Sequence, residues 1–136
     1  MRVMAVDCGD ARTGLAVSDS SATLVGDAWT IAEKDQNALA KAISAEAMAR
    51  GVGIIVVGYP RNMDGTVGPR AVKSDGFAGL IRALCDIEVV LWDERLTTIS
   101  AHRILSDSGK HGKKRKKAID AVAASLILES YLRSCK

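Results

Sequence analysis

The 136-residue sequence predicts an α/β fold built on a mixed five-stranded sheet. Three observations carry this expectation. Three short runs near the N-terminus, separated by turn residues, read as an antiparallel meander. Two later runs rich in Ile and Val read as buried strands. A segment of helical periodicity precedes each of those two, as β-α-β crossovers require.

The elements follow in order. Residues 3–7 (VMAVD) form the expected first strand, Gly9-Asp10 opens a turn, and residues 13–18 (TGLAVS) hairpin back as the second. Residues 23–31 make the third, after the turn-like Asp19-Ser20-Ser21. Asp35 is placed to cap a helix running to about Arg50, with Leu39, Ile43 and Ala47 at i, i+4 and i+8 and Gly51 as its stop. The unbroken apolar run 53–58 (GIIVVG) fits a strand covered on both faces, as in a parallel pair. Residues 59–70 form a Gly/Pro/Asn/Asp-rich loop in which Asp64-Gly65 reads as a tight turn. Phe77, Leu80, Ile81 and Leu84 give the second helix its apolar face, and residues 87–92 give the fifth strand. A third helix is expected from Thr97 or Thr98 to near Gly109, and a fourth over residues 118–132, after a basic run. Right-handed crossovers return the fourth strand beside the first. The exits of strands one, four and five then share one edge, with Asp7, Gly58 and Asp93 along it, where open α/β sheets hold their ligands.

The length suits one domain over residues 1–136. Aromatic residues make up only 4%. The core therefore rests on Val, Ile, Leu and Ala, and the few rings argue against a single-strand stacking platform. The net charge of +3 is unevenly spread: residues 110–117 read KHGKKRKK and hold six of the 19 Lys and Arg, and without them 13 basic residues face 16 acidic ones. A local basic block of this kind points to a polyanion. Cys8, Cys85 and Cys135 are odd in number, and neither they nor His102 and His111 match a zinc spacing. Reduced thiols, an N-terminus interrupted by Asp7 and the lack of a membrane-length apolar run predict a cytoplasmic protein with no membrane partner.

The chemistry rests on carboxylates at strand exits and one in a helix. Asp7 ends the first strand, and Asp93 and Glu94 end the fifth. Asp120 lies in IDAVAASLIL, a helix apolar nearly all round, where Ile119, Val122 and Leu126 form one stripe. A carboxylate there costs several kcal/mol unless it is paired or binds a cation. Converging carboxylates need positive charge between them. An oxygen-only donor set selects a hard ion, Mg²⁺ or Mn²⁺, and two such ions suit in-line phosphoryl displacement. Strand alternation makes Asp93 and Glu94 point apart, so one of the two is the metal ligand; Glu94 is the first choice and Asp93 the alternative. Lys113, Lys114, Arg115, Lys116 and Lys117 are candidates for phosphate contact. Arg61, Asn62 and Arg70 in the 59–70 loop, with Arg12 and Arg95 beside the acids, complete the candidate nucleic-acid contacts. No P-loop motif is present, and no nucleotide cofactor is expected.

Four segments together resemble the YqgF/RuvX family: AVDCGDARTGLAVSD, VVGYPRNMDGTVGPR, DERLTT and KKRKKAIDAVAASLIL. Its members are described as Holliday junction resolvases or as nucleases of ribosomal RNA precursors. The resemblance implies an RNase H-like fold and three acidic metal ligands, mapping onto Asp7, the Asp93/Glu94 segment and Asp120. It also implies hydrolysis of phosphodiester bonds, with maturation of the 5′ end of the 16S rRNA precursor in ribosome biogenesis as the expected role. Structured RNA is then the preferred substrate and branched DNA in recombination or repair the alternative, and a homodimer is compatible with either. Cys8, Tyr59 and Ala11 are the small departures from the family pattern. Two other classes compete. A nucleotide-dependent ATPase of the actin/hexokinase type would account for DCGDARTGLAV, but it needs two lobes. A non-catalytic RNA-binding assembly factor would account for the basic run, but not for Asp120.

Overall fold

The structure, a computed structural model, describes residues 1–9, 12–60, 64–93 and 112–135, and for 112–120 the backbone alone. Its elements are β1 (Arg2–Asp7), β2 (Thr13–Ser18), β3 (Val25–Ile31), α1 (Gln36–Ala49), β4 (Val52–Tyr59), α2 (Pro69–Leu84), β5 (Glu88–Asp93) and α3 (Gly112–Ser134). The helix expected between residues 97 and 109 lies outside the described residues.

The sheet order is β3-β2-β1-β4-β5. β2 pairs antiparallel with β1 and β3, while β4 runs parallel to β1 and to β5. The three-stranded meander and the return of β4 beside β1 are therefore as the pattern predicts, and the parallel strands leave the sheet at one edge. β1 is central, which explains why Val3 to Val6 are all buried: both faces are covered and both sides are hydrogen-bonded.

α1 and α2 cover one face. Leu39, Ile43, Phe77 and Ile81 pack there on Met4, Val6, Leu15, Val17, Ile55 and Val57. α3 covers the other, where Ala124, Ile127, Leu128 and Leu132 meet Val3, Ala5, Ala16 and Val56. α1 starts where Asp35 accepts a 3.1 Å hydrogen bond from the Asn37 amide, and it stops at Gly51, whose φ of +71° favours glycine. Of the apolar residues assigned to α2, Phe77 and Ile81 are core, whereas Leu84 in the last turn is exposed.

Two boundaries differ clearly from expectation, each for a local reason. β3 begins at Val25 rather than Thr23, because the Asp19 carboxylate accepts from the amides of Thr23 (2.9 Å) and Leu24 (3.3 Å) and holds them in the turn. Within α3, Ala123, Ala124, Ile127, Leu128 and Leu132 are buried while Val122 and Leu126 are only partly so, since alanine lets the helix approach Ala5 and Ala16 closely. α3 begins at Gly112, not after the basic run, so residues 113–117 are its first turns. Lys and Arg are good helix formers, and extending a helix already docked by its later turns is inexpensive. No helix among the described residues is long and apolar enough to cross a membrane.

Candidate functional site

Sheet register fixes what surrounds Asp7. It is the last residue of β1, half-buried, and opposite Gly14 of β2. On the other side, the Val6–Val57 pair brings it level with Gly58 of β4, and Gly58 pairs with Trp92 of β5. Gly14 in turn pairs with Thr30 of β3. One row thus crosses the sheet at this level: Thr30, Gly14, Asp7, Gly58, Trp92.

Strand alternation puts the whole row on the α3 face. Val3 and Ala5 belong to that face four and two residues before Asp7, as do Ala16, Val56, Ala28 and Val90 on the neighbouring strands. Asp7 is therefore flanked on its own face by two residues without side chains. Neither glycine adds a side chain to that face. The loop leaving Asp7 is also tight, because a side chain at Gly9 would collide with the Arg12 carbonyl oxygen.

Asp93 shares the edge but not the face. It ends β5 opposite Tyr59 and is exposed. Its alternation class is that of Val89 and Leu91, which belong to the α1/α2 side. Glu94 and Arg95 lie outside the described residues, as do Arg61 and Asn62. Asp120 holds a helical position in α3 one turn before Ala124, which packs on the Asp7 side of the sheet. For Asp120, as for residues 113–117, the placement is that of the backbone.

The 59–70 loop returns from the same edge. Asp64 accepts from both the amide (2.9 Å) and the hydroxyl (2.6 Å) of Thr66, and the Thr66 hydroxyl chiefly holds its pKa below the ordinary carboxylate range. Gly65 has φ of +88°, so the Asp64-Gly65 pair turns as the sequence suggests. Gly68 caps α2 without a side-chain hydrogen bond, Pro69 is the first helical residue and no acid lies in the first turn. Arg70 and Lys73 are exposed there. The first turn of α3 also lacks acids and runs straight into a basic segment, the reverse of what a helix dipole favours.

Among the described residues no three His, Cys, Asp or Glu side chains come together as a metal site. Among the described acids, Asp7 at the sheet edge is the residue whose oxygen chemistry suits a hard divalent cation. Gly14, Trp92 and Lys73 are not among the residues that the sequence alone singles out. The register that aligns the first two with Asp7 can be built from the strand assignments, whereas Lys73 carries no signal beyond its charge.

The sequence profile of the RuvX family, described as Holliday junction resolvase, matches residues 1–134. A relative from Geobacillus kaustophilus, named "Putative pre-16S rRNA nuclease", is 44% identical, with 98% of this chain and 99% of the relative covered. Among solved structures, a fowlpox virus resolvase with Holliday junction DNA superposes at a TM-score of 0.62 and 12% identity, with 99% of each chain covered. T. thermophilus RuvC with a Holliday junction substrate superposes at 0.57 and 16% identity, covering 98% of this chain and 96% of the other. These two likenesses show the RuvC-like RNase H fold, and the five-stranded mixed sheet with helices on both faces is that fold. The full-length profile match and the identity to the curated relative together establish that the chain belongs to the RuvX family.

Proposed function

We propose that this protein, acting as one nuclease domain, hydrolyses phosphodiester bonds of a ribosomal RNA precursor with Mg²⁺ or Mn²⁺ held by Asp7, Glu94 and Asp120. The observation that carries the reading is Asp7 at the exit of the central strand, between Gly14 and Gly58 on the face that α3 covers. Glu94 is preferred over Asp93 because Asp93 ends β5 in the alternation class of the α1/α2 side, not of the Asp7 side. A pair of divalent cations supplies, when bound, Lewis-acid stabilisation of an in-line displacement at phosphorus. Asp7 is rigid, since its strand is hydrogen-bonded on both sides, and it holds its carboxylate in fixed register with the edge. Gly14 and Gly58 keep the space beside it open. Residues 113–117, with Arg70 and Lys73 at the start of α2, neutralise backbone phosphates and orient the strand without reading its sequence.

A ribosomal RNA precursor is preferred over a DNA junction because the relatives at 40–44% identity over nearly the whole chain carry a 16S rRNA precursor nuclease name. The resolvase structures share the fold at under 20% identity. The test is a cleavage panel of precursor RNA, single-stranded DNA, duplex DNA and a four-way junction, with wild type and Asp7→Asn. Expected are Mg²⁺-dependent cutting of RNA by wild type, 5′-phosphate and 3′-hydroxyl products, and a loss of at least about a hundredfold in Asp7→Asn with binding retained. Cleavage that persists in EDTA overturns the metal mechanism, and cutting confined to the junction reverses the choice of substrate.

A further inference from the structure

A cleft of about 170 Å³ opens where the start of β3 meets the last turns of α3. Val25, beside it, pairs with Ser18 at one end of β2, whereas Asp7 pairs with Gly14 at the other, so the cleft lies at the end of the sheet away from Asp7. Leu132, which is buried, and Val25, which packs against the same core, give it apolar walls, and the exposed Thr23, Leu24, Glu129 and Arg133 line its rim. A cavity of this order holds a benzene-sized group, so one aliphatic side chain fits. Leu24 is itself 69% exposed, on a turn that is held rigidly. The Asp19 carboxylate accepts from the amides of Thr23 and Leu24 and from the hydroxyls of Ser21 and Thr23, and the Asp19 amide donates to the Leu24 carbonyl at 2.9 Å. Glu129 and Arg133 stand four residues apart on α3, yet neither side chain has an ion pair or hydrogen bond among the described residues.

We infer that this corner is a contact between two copies of the chain, in which Leu24 of each enters the cleft of the other and Glu129 of each pairs with the partner's Arg133. The corner carries an apolar knob, an apolar hole, one acid and one base. A two-fold axis matches all four at once, because each contact across it occurs twice. Docking takes Leu24 out of water, and the rigid turn loses little freedom in the process. The two ion pairs at the rim fix the orientation of the copies. A contact confined to one corner gives a weak, concentration-dependent dimer. Both Asp7 edges stay clear of it, so the contact is independent of the nuclease reading above.

The test is sedimentation velocity of the full chain from about 10 µM to about 1 mM. Wild type is expected to pass from monomer to dimer over that range. Leu24→Asp should stay monomeric throughout, because it would carry a charge into an apolar cleft. Glu129→Arg and Arg133→Glu each bring like charges together and should weaken association by at least about tenfold. An equimolar mixture of those two variants should associate like wild type, since the mixed dimer again pairs opposite charges at both rims. All three side chains are exposed, so each variant should melt close to wild type. A wild type that stays monomeric over the whole range overturns the contact and leaves the cleft to some other partner. Leu24→Asp associating as wild type does, or a mixture no tighter than its two components, overturns it as well.

Discussion

On the face under α1 and α2 the sheet itself carries large side chains, among them Met4, Leu15 and Ile55, whereas under α3 its buried residues are the smaller Val3, Ala5, Ala16 and Val56, on which Ile127, Leu128 and Leu132 of the helix pack. At the exit edge the contrast is sharper. The α1/α2 side buries Thr13 and packs Cys8 and Ile31 against its core, while the α3 side reduces to Gly14 and Gly58 around Asp7. Large side chains remove the most apolar area from water, so the first face supplies most of the stability. Small ones let a helix approach and leave room beside a carboxylate, so the second face is where the chemistry fits. Stability and reactivity are separated by the thickness of one sheet.

Four substitutions test that division. The largest effect is expected from Phe77→Ala. Phe77 is 1% exposed, and its removal should cost about 3–5 kcal/mol, a large part of a typical domain's stability. Denaturant melts should show that loss with the Mg²⁺-dependent gain in melting temperature intact, and a vanished gain would mean the faces are coupled. Next, replacing Lys113, Lys114, Arg115, Lys116 and Lys117 together with Gln should lower the salt dependence of RNA affinity. The slope of log affinity against log salt should fall by about 0.7 to 0.9 for each phosphate that is no longer neutralised. Binding titrations at several salt concentrations read this directly, and equal slopes would remove the α3 basic turns from the interface.

Thr13→Val comes third. The Thr13 hydroxyl is buried on the α1/α2 side with no hydrogen-bond partner among the described residues, so the isosteric valine should raise stability by about 1 kcal/mol and leave cleavage unchanged. Abolished cleavage in a protein that melts higher would show that chemistry reaches the stability face. The smallest effect lies away from both faces, at Asp19. Its pKa is lowered to about 2, first by the Thr23 amide, from an ordinary 3.8. A depressed carboxylate stabilises fully above its ordinary value and loses that contribution as pH falls toward 2. The melting difference between wild type and Asp19→Ala should therefore be constant from neutral pH down to about 4 and shrink below it. A difference that grows on acidification would reverse the sign.

Much of this is legible in the sequence, unevenly. β2 is readable to the residue because Thr13 to Ser18 are apolar or small and bounded by Arg12 and Asp19. α1 is readable because both of its ends use local devices, the Asp35 cap and the left-handed Gly51. The start of β3 is not, since Thr23 is a good strand residue that a side chain four positions earlier captures. In α3 the patterning shows an apolar helix, but not that Ala123 and Ala124 are buried more deeply than Val122 and Leu126, because close packing on Ala5 and Ala16 favours the smaller side chain. Within the candidate site, the strand-exit position of Asp7 and its α/β setting are readable. Gly14 and Trp92 carry no signal of their own, and their relation to Asp7 emerges only once the strands are set in register.

The place of β1 in both sequence and sheet has a consequence for biogenesis. β1 is made before every other strand, yet its second partner, β4, is made only after β2, β3 and α1, and α3 follows all five strands. At roughly 5–20 residues per second, on the order of ten seconds separates synthesis of Asp7 from synthesis of Asp120. Throughout that interval the growing chain carries the first acid of the proposed centre without the last. On the proposed ligand set, a nuclease assembled in this order stays harmless to the RNA-rich machine that is making it until its final helix docks.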